Sequence, residues 1–234
     1  MVKKLIVCIG ITGIAMAADK KEEQPFIELI ADYQVQDPLK PTGLKDISQK
    51  QIDEHWALYK GYVTQVNALN KELAELRAQG KGASADYADR RRRYGFEYNG
   101  MVLHEYYFAN LKANGKKEPE DVLKKALANA FGSYDAWHTD FINAGKTRGI
   151  GWVLLCMDMT TKQLINIFVA DHEIGTIASF APILVMDIWE HAYMVDHGAS
   201  GRPDYITAFM ANIDWNIVLK RYNDALEGKV LKRF

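Results

Sequence analysis

An α+β fold is what this chain predicts: a helical N-terminal half, then a C-terminal α/β half built on a small three-stranded antiparallel sheet. Three observations carry that expectation. Across residues 49–79 the apolar positions Ile52, Trp56, Tyr59, Val63, Val66, Leu69, Leu73 and Leu76 recur at steps of three and four, the stripe of an amphipathic helix. Residues 151–158 and 163–170 are β-rich runs joined by the polar turn Met159-Thr160-Thr161-Lys162, the pattern of an antiparallel hairpin. Residues 181–186 form a further short apolar run, which reads as a buried third strand.

Taken in order, residues 1–17 have the features of a secretory signal. Lys3 and Lys4 make a positive start, residues 5–16 an apolar core, and Ala15-Met16-Ala17 a small-x-small cleavage pattern. The apolar stretch falls short of the ~20 residues of a comfortable membrane span. The expected protein is therefore exported, to a periplasm or the cell exterior, with no membrane attachment after cleavage. Cleavage would remove Lys3 and Lys4 and take the net charge from −1 to −3. It would also remove Cys8, which lacks the small residues of a lipoprotein box ahead of it. Cys156 would then stand alone, which excludes an intramolecular disulfide and leaves stability to the core or to oligomerisation.

Residues 18–47, with Pro25, Pro38 and Pro41 spaced through them, read as an extended arm. Ser48 followed by Gln51 makes a weak capping box at the start of the first helix. Residues 48–115 then form a helical hairpin domain: a loop at 80–84, and a second helix from Tyr94 or Asn99 to Leu111, closed by Asn114-Gly115. Residues 116–234 form the α/β domain. It opens with two short helices broken at Gly132-Ser133, continues through the three strands, and ends in helices over 189–196 and 204–226. The 29 basic and 30 acidic residues balance, so no nucleic-acid footprint is present. The one basic run, Arg90-Arg91-Arg92-Arg93, reads as a solvated face just ahead of a helix.

The chemistry concentrates in Asp187-Ile188-Trp189-Glu190-His191-Ala192-Tyr193. If a helix starts at Asp187, that carboxylate and the His191 imidazole lie on one face. Together they suit one Fe, Mn or Zn ion. The plainer reading makes Asp187 an N-cap and His191 an ordinary buried histidine. Further histidines weigh against it. His55 shares a face of the first helix with Tyr59 and Tyr62, and His104 sits mid-helix among Tyr106, Tyr107 and Phe108. Three histidines and an aspartate turned toward one interior would each be costly to bury without a partner.

On these residues the chain resembles the iron/manganese superoxide dismutase family. The family's D-x-W-E-H-A-Y stands here as residues 187–193, and its R-P-D-Y as Arg202-Pro203-Asp204-Tyr205. Tyr107-Phe108 after His104, Phe131-Gly132-Ser133 and Gly151-Trp152 match further landmarks, so that the likeness runs from about residue 46 to 222. It implies one iron or manganese ion per subunit held by His104, Asp187, His191 and a first-helix ligand. That ligand is His55, seven residues before the gateway Tyr62, or Glu54 at the family's eight-residue spacing. His55 is favoured because seven residues are nearly two helical turns and return it to the Tyr62 face; loss of a π-bulge would absorb the missing residue.

The resemblance also implies that His172 occupies the place of a glutamine that hydrogen-bonds metal-bound solvent, with Gly100 leaving room for it. Tyr62 would gate access and pass protons, and Trp152 and Trp189 would wall the site. Glu190 and Tyr193 would face a partner subunit in a homodimer or a tetramer built from it. Leu154 replaces a family tryptophan, and Leu58 or Tyr59 a second histidine or tyrosine. The implied activity is superoxide dismutation, with superoxide as substrate. The alternative is a catalytically altered dismutase-fold protein that binds metal in a structural or interaction role. A zinc hydrolase on the same ligands is weakened by the absence of an H-E-x-x-H or similar motif.

Overall fold

The computed structural model describes residues 32–116, 118–229 and 233–234. The expected signal at 1–17 and the first part of the arm lie outside them. Helices α1 (Gln49–Ala78) and α2 (Ala85–Ala109) form a hairpin, followed by α3 (Asp121–Phe131) and α4 (Tyr134–Gly145). Strands β1 (Gly151–Asp158), β2 (Leu164–Ala170) and β3 (Phe180–Asp187) make one antiparallel sheet in the order β2-β1-β3. Helices α5 (Met194–His197), α6 (Arg202–Ala211) and α7 (Trp215–Leu226) complete the α+β architecture. Among the described residues no helix is long and apolar enough to cross a membrane.

Helix α1 begins where Ser48 Oγ accepts from the Gln51 N–H, and its stripe from Ile52 to Leu73 is buried. Every residue from Gln49 to Ala78 is α-helical, with no π turn. The described part of the arm lies along this hairpin: Asn67 exchanges two hydrogen bonds with the Tyr33 backbone, and the Gln36 N–H donates to the Tyr59 hydroxyl.

Helix α2 starts at Ala85, well ahead of the expected Tyr94 or Asn99. Its first turns lack an apolar stripe and are held by polar contacts instead. Ser84 caps the Tyr87 N–H, Arg90 pairs with Glu72, and Arg91 donates to the Tyr87 hydroxyl. The four arginines thus lie inside the helix rather than before it. At the other end, α2 stops at Ala109 because Leu111 bridges to Ile213, flanked by Lys112 N–H to Asn212 O at 2.8 Å and Asp214 N–H to Asn110 O at 2.6 Å. That bridge also divides the single helix expected over 204–226 into α6 and α7.

Strand β1 is central and buried, with Trp152 opposite both Val169 of β2 and Asp187 of β3. Gly151 opens it at φ 136°, and a Cβ there would meet the Val169 carbonyl at 1.9 Å, so only glycine fits. Pro182 is tolerated because β3 is an edge strand. The register brings Trp152 and Asp187 to the same end of the sheet. Beyond Asp187 the single helix expected over 189–196 is broken in two. A 3₁₀ turn, Glu190–Ala192, is followed by the short α5, with a break at Tyr193.

Candidate metal centre

Four segments deliver one donor each. His55 comes from α1, His104 from α2, Asp187 from the end of β3 and His191 from the 3₁₀ turn. Their donor atoms all lie within 4.8 Å of one another. Asp187 Oδ2 is the hub, 3.0 Å from His55 Nε2, 3.2 Å from His191 Nε2 and 3.6 Å from His104 Nε2. Its other oxygen accepts the Trp189 N–H at 2.8 Å, which anchors the carboxylate. His55, His104 and Asp187 are fully buried.

The histidine chemistry fits a cation. His104 Nδ1–H donates to the Gly100 carbonyl at 2.6 Å, so its Nε2 carries a lone pair. That Nε2 is buried without a hydrogen-bond partner among the described residues and faces the cluster. An imidazole whose far nitrogen is held by a carbonyl is the usual arrangement of a metal ligand. Glu54, the other first-helix candidate, lies outside the cluster, exposed and 4.0 Å from Lys50. The unbroken α1 accounts for the choice: seven residues of regular helix turn His55 onto the Tyr62 face. His138 and His197 also lie outside; His197 reaches the Asp46 carbonyl.

Residues 119–221 match the family model for the C-terminal domain of iron/manganese superoxide dismutases. The chain is 36% identical over 207 residues to a superoxide dismutase [Fe] of Aquifex aeolicus, covering 86% of this chain and 96% of that one. It is 36% identical over 191 residues to superoxide dismutase [Mn] 2 of Haloferax volcanii, covering 82% and 92%. With a superoxide dismutase [Fe] of Cupriavidus metallidurans it shares 35% over 193 residues, covering 81% and 94%. The chain belongs to the iron/manganese superoxide dismutase family.

Around the four donors this dismutase-family chain builds an aromatic shell. Trp152 meets His104 edge-on at 4.9 Å, and Trp189 stacks on His191 at 5.6 Å and on His172 at 4.9 Å. Tyr107 lies 4.9 Å from His55, and its hydroxyl meets that of Tyr205, which donates to the Asp187 carbonyl at 2.7 Å. Sequence reasoning gave no role to Tyr107 or Tyr205 beyond the motifs that contain them. Leu154, in place of a family tryptophan, is simply buried in the sheet core, and Tyr59 points inward to Glu105 while Leu58 is exposed.

His172 sits on the tight turn after β2, its carbonyl held by Asn99 of α2 at 2.8 Å. The Trp152 indole N–H donates to His172 Nδ1 at 2.9 Å, and His172 Nε2 is 2.8 Å from the Tyr62 hydroxyl. An indole nitrogen can only donate, so Nδ1 accepts and the neutral ring carries its proton on Nε2. That proton goes to the Tyr62 oxygen. The space over Gly100 is filled by Tyr62, not by His172 as the resemblance suggested: a Cβ on Gly100 would lie 2.6–3.0 Å from three Tyr62 ring atoms. Gly100→Ala should push Tyr62 off His172, cost about 1–3 kcal/mol by overpacking, and lower dismutation severalfold with metal content unchanged. Steady-state kinetics beside metal analysis checks this.

Electrostatically the centre is a buried anion among imidazoles. Burial pushes the Asp187 carboxyl up, but His191 and His55 outweigh it and hold it well below the ordinary range. Burial depresses His55 and, more strongly, His104, and brings His172 down to about 4 from 6.5. The unfolded chain takes up these protons near 6.5 whereas the fold resists them, so acid favours unfolding. The metal-free protein should hold its stability above 6.5 and lose it as pH falls toward about 4. Urea midpoints at about pH 7 and about pH 5 test the sign; an unmoved midpoint would contradict it.

Proposed function

We propose that this chain is a superoxide dismutase with one iron or manganese ion per subunit, held by His55, His104, Asp187 and His191. The observation that carries the reading is the convergence of those four donors within 4.8 Å, in a chain of the dismutase family. The ion would supply the one-electron couple by which one superoxide is oxidised to dioxygen and another reduced. Two protons must accompany the pair, giving hydrogen peroxide. Tyr62 would handle them. With its oxygen already accepting from His172 Nε2–H, its own O–H proton remains to be given, and its ring lies 5.1 Å from that of His104. Burial, with Asp187 nearby, raises the Tyr62 pKa, so the hydroxyl keeps its proton until one is demanded. Trp152 and Trp189 would wall the site.

The deciding experiment is dismutation by the chain loaded separately with iron and with manganese, beside His191→Ala. One fast metal form and an inactive variant are expected. Bound metal with no dismutation in either form would sink the activity and leave a metal-binding member of the family.

A homodimer is part of this proposal. Leu58, Met194 and Val195 are exposed beside Glu54, Glu190 and His191 around one groove, an apolar surface that a second subunit would cover. Glu190 is exposed there and would reach a second subunit, whereas Tyr193 is buried against Tyr205 and Arg202. Leu58→Glu should yield a monomer in sedimentation. Export rests on the features of residues 1–17 and is tested by the N-terminus of the protein isolated from its cells.

A further inference from the structure

Gln51 lies on α1 one turn ahead of His55 and is only 1% exposed. Its Nε2–H donates to the His191 carbonyl at 2.6 Å, and its Oε1 accepts from the Val195 N–H at 3.0 Å. Those two backbone groups are four residues apart, the pair that would bond to each other in an α-helix. The glutamine amide stands in place of that bond. Each end satisfies one group, so the chain departs from helix without a buried donor or acceptor left unpaired. The departure is visible at Tyr193, φ −145° and ψ −17°, where the 3₁₀ turn ends and α5 begins.

The capping-box role that the sequence suggests for Gln51 is taken by another residue. The Ser48 N–H, which a capping box would pair with Gln51, donates to Asp196 Oδ2 at 2.6 Å. The Asp46 carbonyl meets His197 Nε2 at 3.1 Å. The start of α1 is therefore docked along residues 191–197 and releases the Gln51 amide for the gap.

We infer that Gln51 is a positioning residue for the metal: a wedge that keeps the His191 turn open so that Nε2 faces Asp187. The inference rests on the reading of the four-donor cluster as the metal site. Without the wedge, the His191 carbonyl and Val195 N–H can close their helical bond, the turn winds into α5, and the His191 ring leaves its 3.2 Å station beside Asp187. Asn67 is a matched control. It makes the same two-ended amide bond to backbone, at Tyr33, on the same helix but with the arm rather than a ligand turn.

The test compares the full chain with Gln51→Leu, Gln51→Glu and Asn67→Leu, all loaded with Mn(II). Release to excess chelator, the Mn(II) electron paramagnetic resonance line shape and the melting of the metal-free forms are measured. Gln51→Leu should release manganese about 10- to 100-fold faster, the range for removing a group that orients a ligand, with an altered line shape. Gln51→Glu keeps the acceptor for Val195 but sets a carboxylate against the His191 carbonyl; it should also release faster, and it decides the matter if the leucine variant does not fold. Asn67→Leu should melt lower yet release at the wild-type rate. Wild-type release and line shape in the folded Gln51 variants would overturn the inference alone, as would equal acceleration by Asn67→Leu. A wild-type chain that retains no manganese or iron would overturn the metal reading with it.

Discussion

Asp187→Asn should abolish tight metal retention and reduce dismutation by more than about 100-fold, beyond the 10–100-fold typical of groups that only orient ligands. Asp187 is the one anion of the four donors, fully buried, with all three imidazoles grouped around a single oxygen. An amide of the same shape keeps the Trp189 N–H bond through its oxygen, so the turn should survive. What is lost is the negative charge that offsets bringing a di- or trivalent cation into an apolar interior. The signature is a folded chain, with native far-ultraviolet circular dichroism, that purifies nearly free of iron and manganese. Wild-type metal content in that variant would mean that the histidines alone suffice and that the carboxylate is misassigned.

Arg221→Ala should be the most destabilising single change away from the centre, at about 3–5 kcal/mol, or a melting point lower by roughly 10 °C. The guanidinium is 2% exposed, and among the described residues it pairs with no carboxylate. It reaches Asn110 Oδ1 at 2.6 Å, the Tyr106 carbonyl at 3.3 Å and the Ile183 carbonyl at 3.4 Å, and it also donates to the Arg233 carbonyl. One side chain of α7 thereby holds the end of α2 against β3, and burial lowers its own pKa to about 10. Truncation leaves a cavity beside several stranded acceptors. Arg221→Met fills the cavity without the hydrogen bonds, so the gap between the two variants separates packing from polar satisfaction. Equal melting of Arg221→Ala and the wild type would show that α7 is held by its apolar face alone.

Legibility differed from residue to residue, and for physical reasons. The Asp187–His191 pair was legible because both ligands sit in one short contiguous motif. The geometry that joins them was not: a strand end and a 3₁₀ turn, rather than one face of a helix. Gln51, 140 residues away, holds that turn. A local pattern cannot report a bond from so remote a side chain. His55 was favoured over Glu54 by its facing, and the unbroken α1 carries it into the cluster while Glu54 stays exposed, since one residue of helix changes the facing by about 100°. At Gly100 the sequence shows that a side chain is missing but not which neighbour occupies the space, and Tyr62 took the place expected for His172. The late start expected for α2 came from reading apolar periodicity where Arg90, Arg91 and Ser84 supply polar support.

By itself, then, the sequence determined the fold class, the three strands, the first helix and the residues able to hold a metal, because apolar period and side-chain chemistry are properties of short segments. Tertiary structure alone decided which donors meet, which tautomer His172 adopts beside Trp152, and where helices stop. The Leu111–Ile213 bridge and the Gln51 amide both interrupt helices that local propensity would have continued. Hydrogen bonds between residues distant in sequence exist only after the chain has folded, and at those points they outweigh the smaller local preferences.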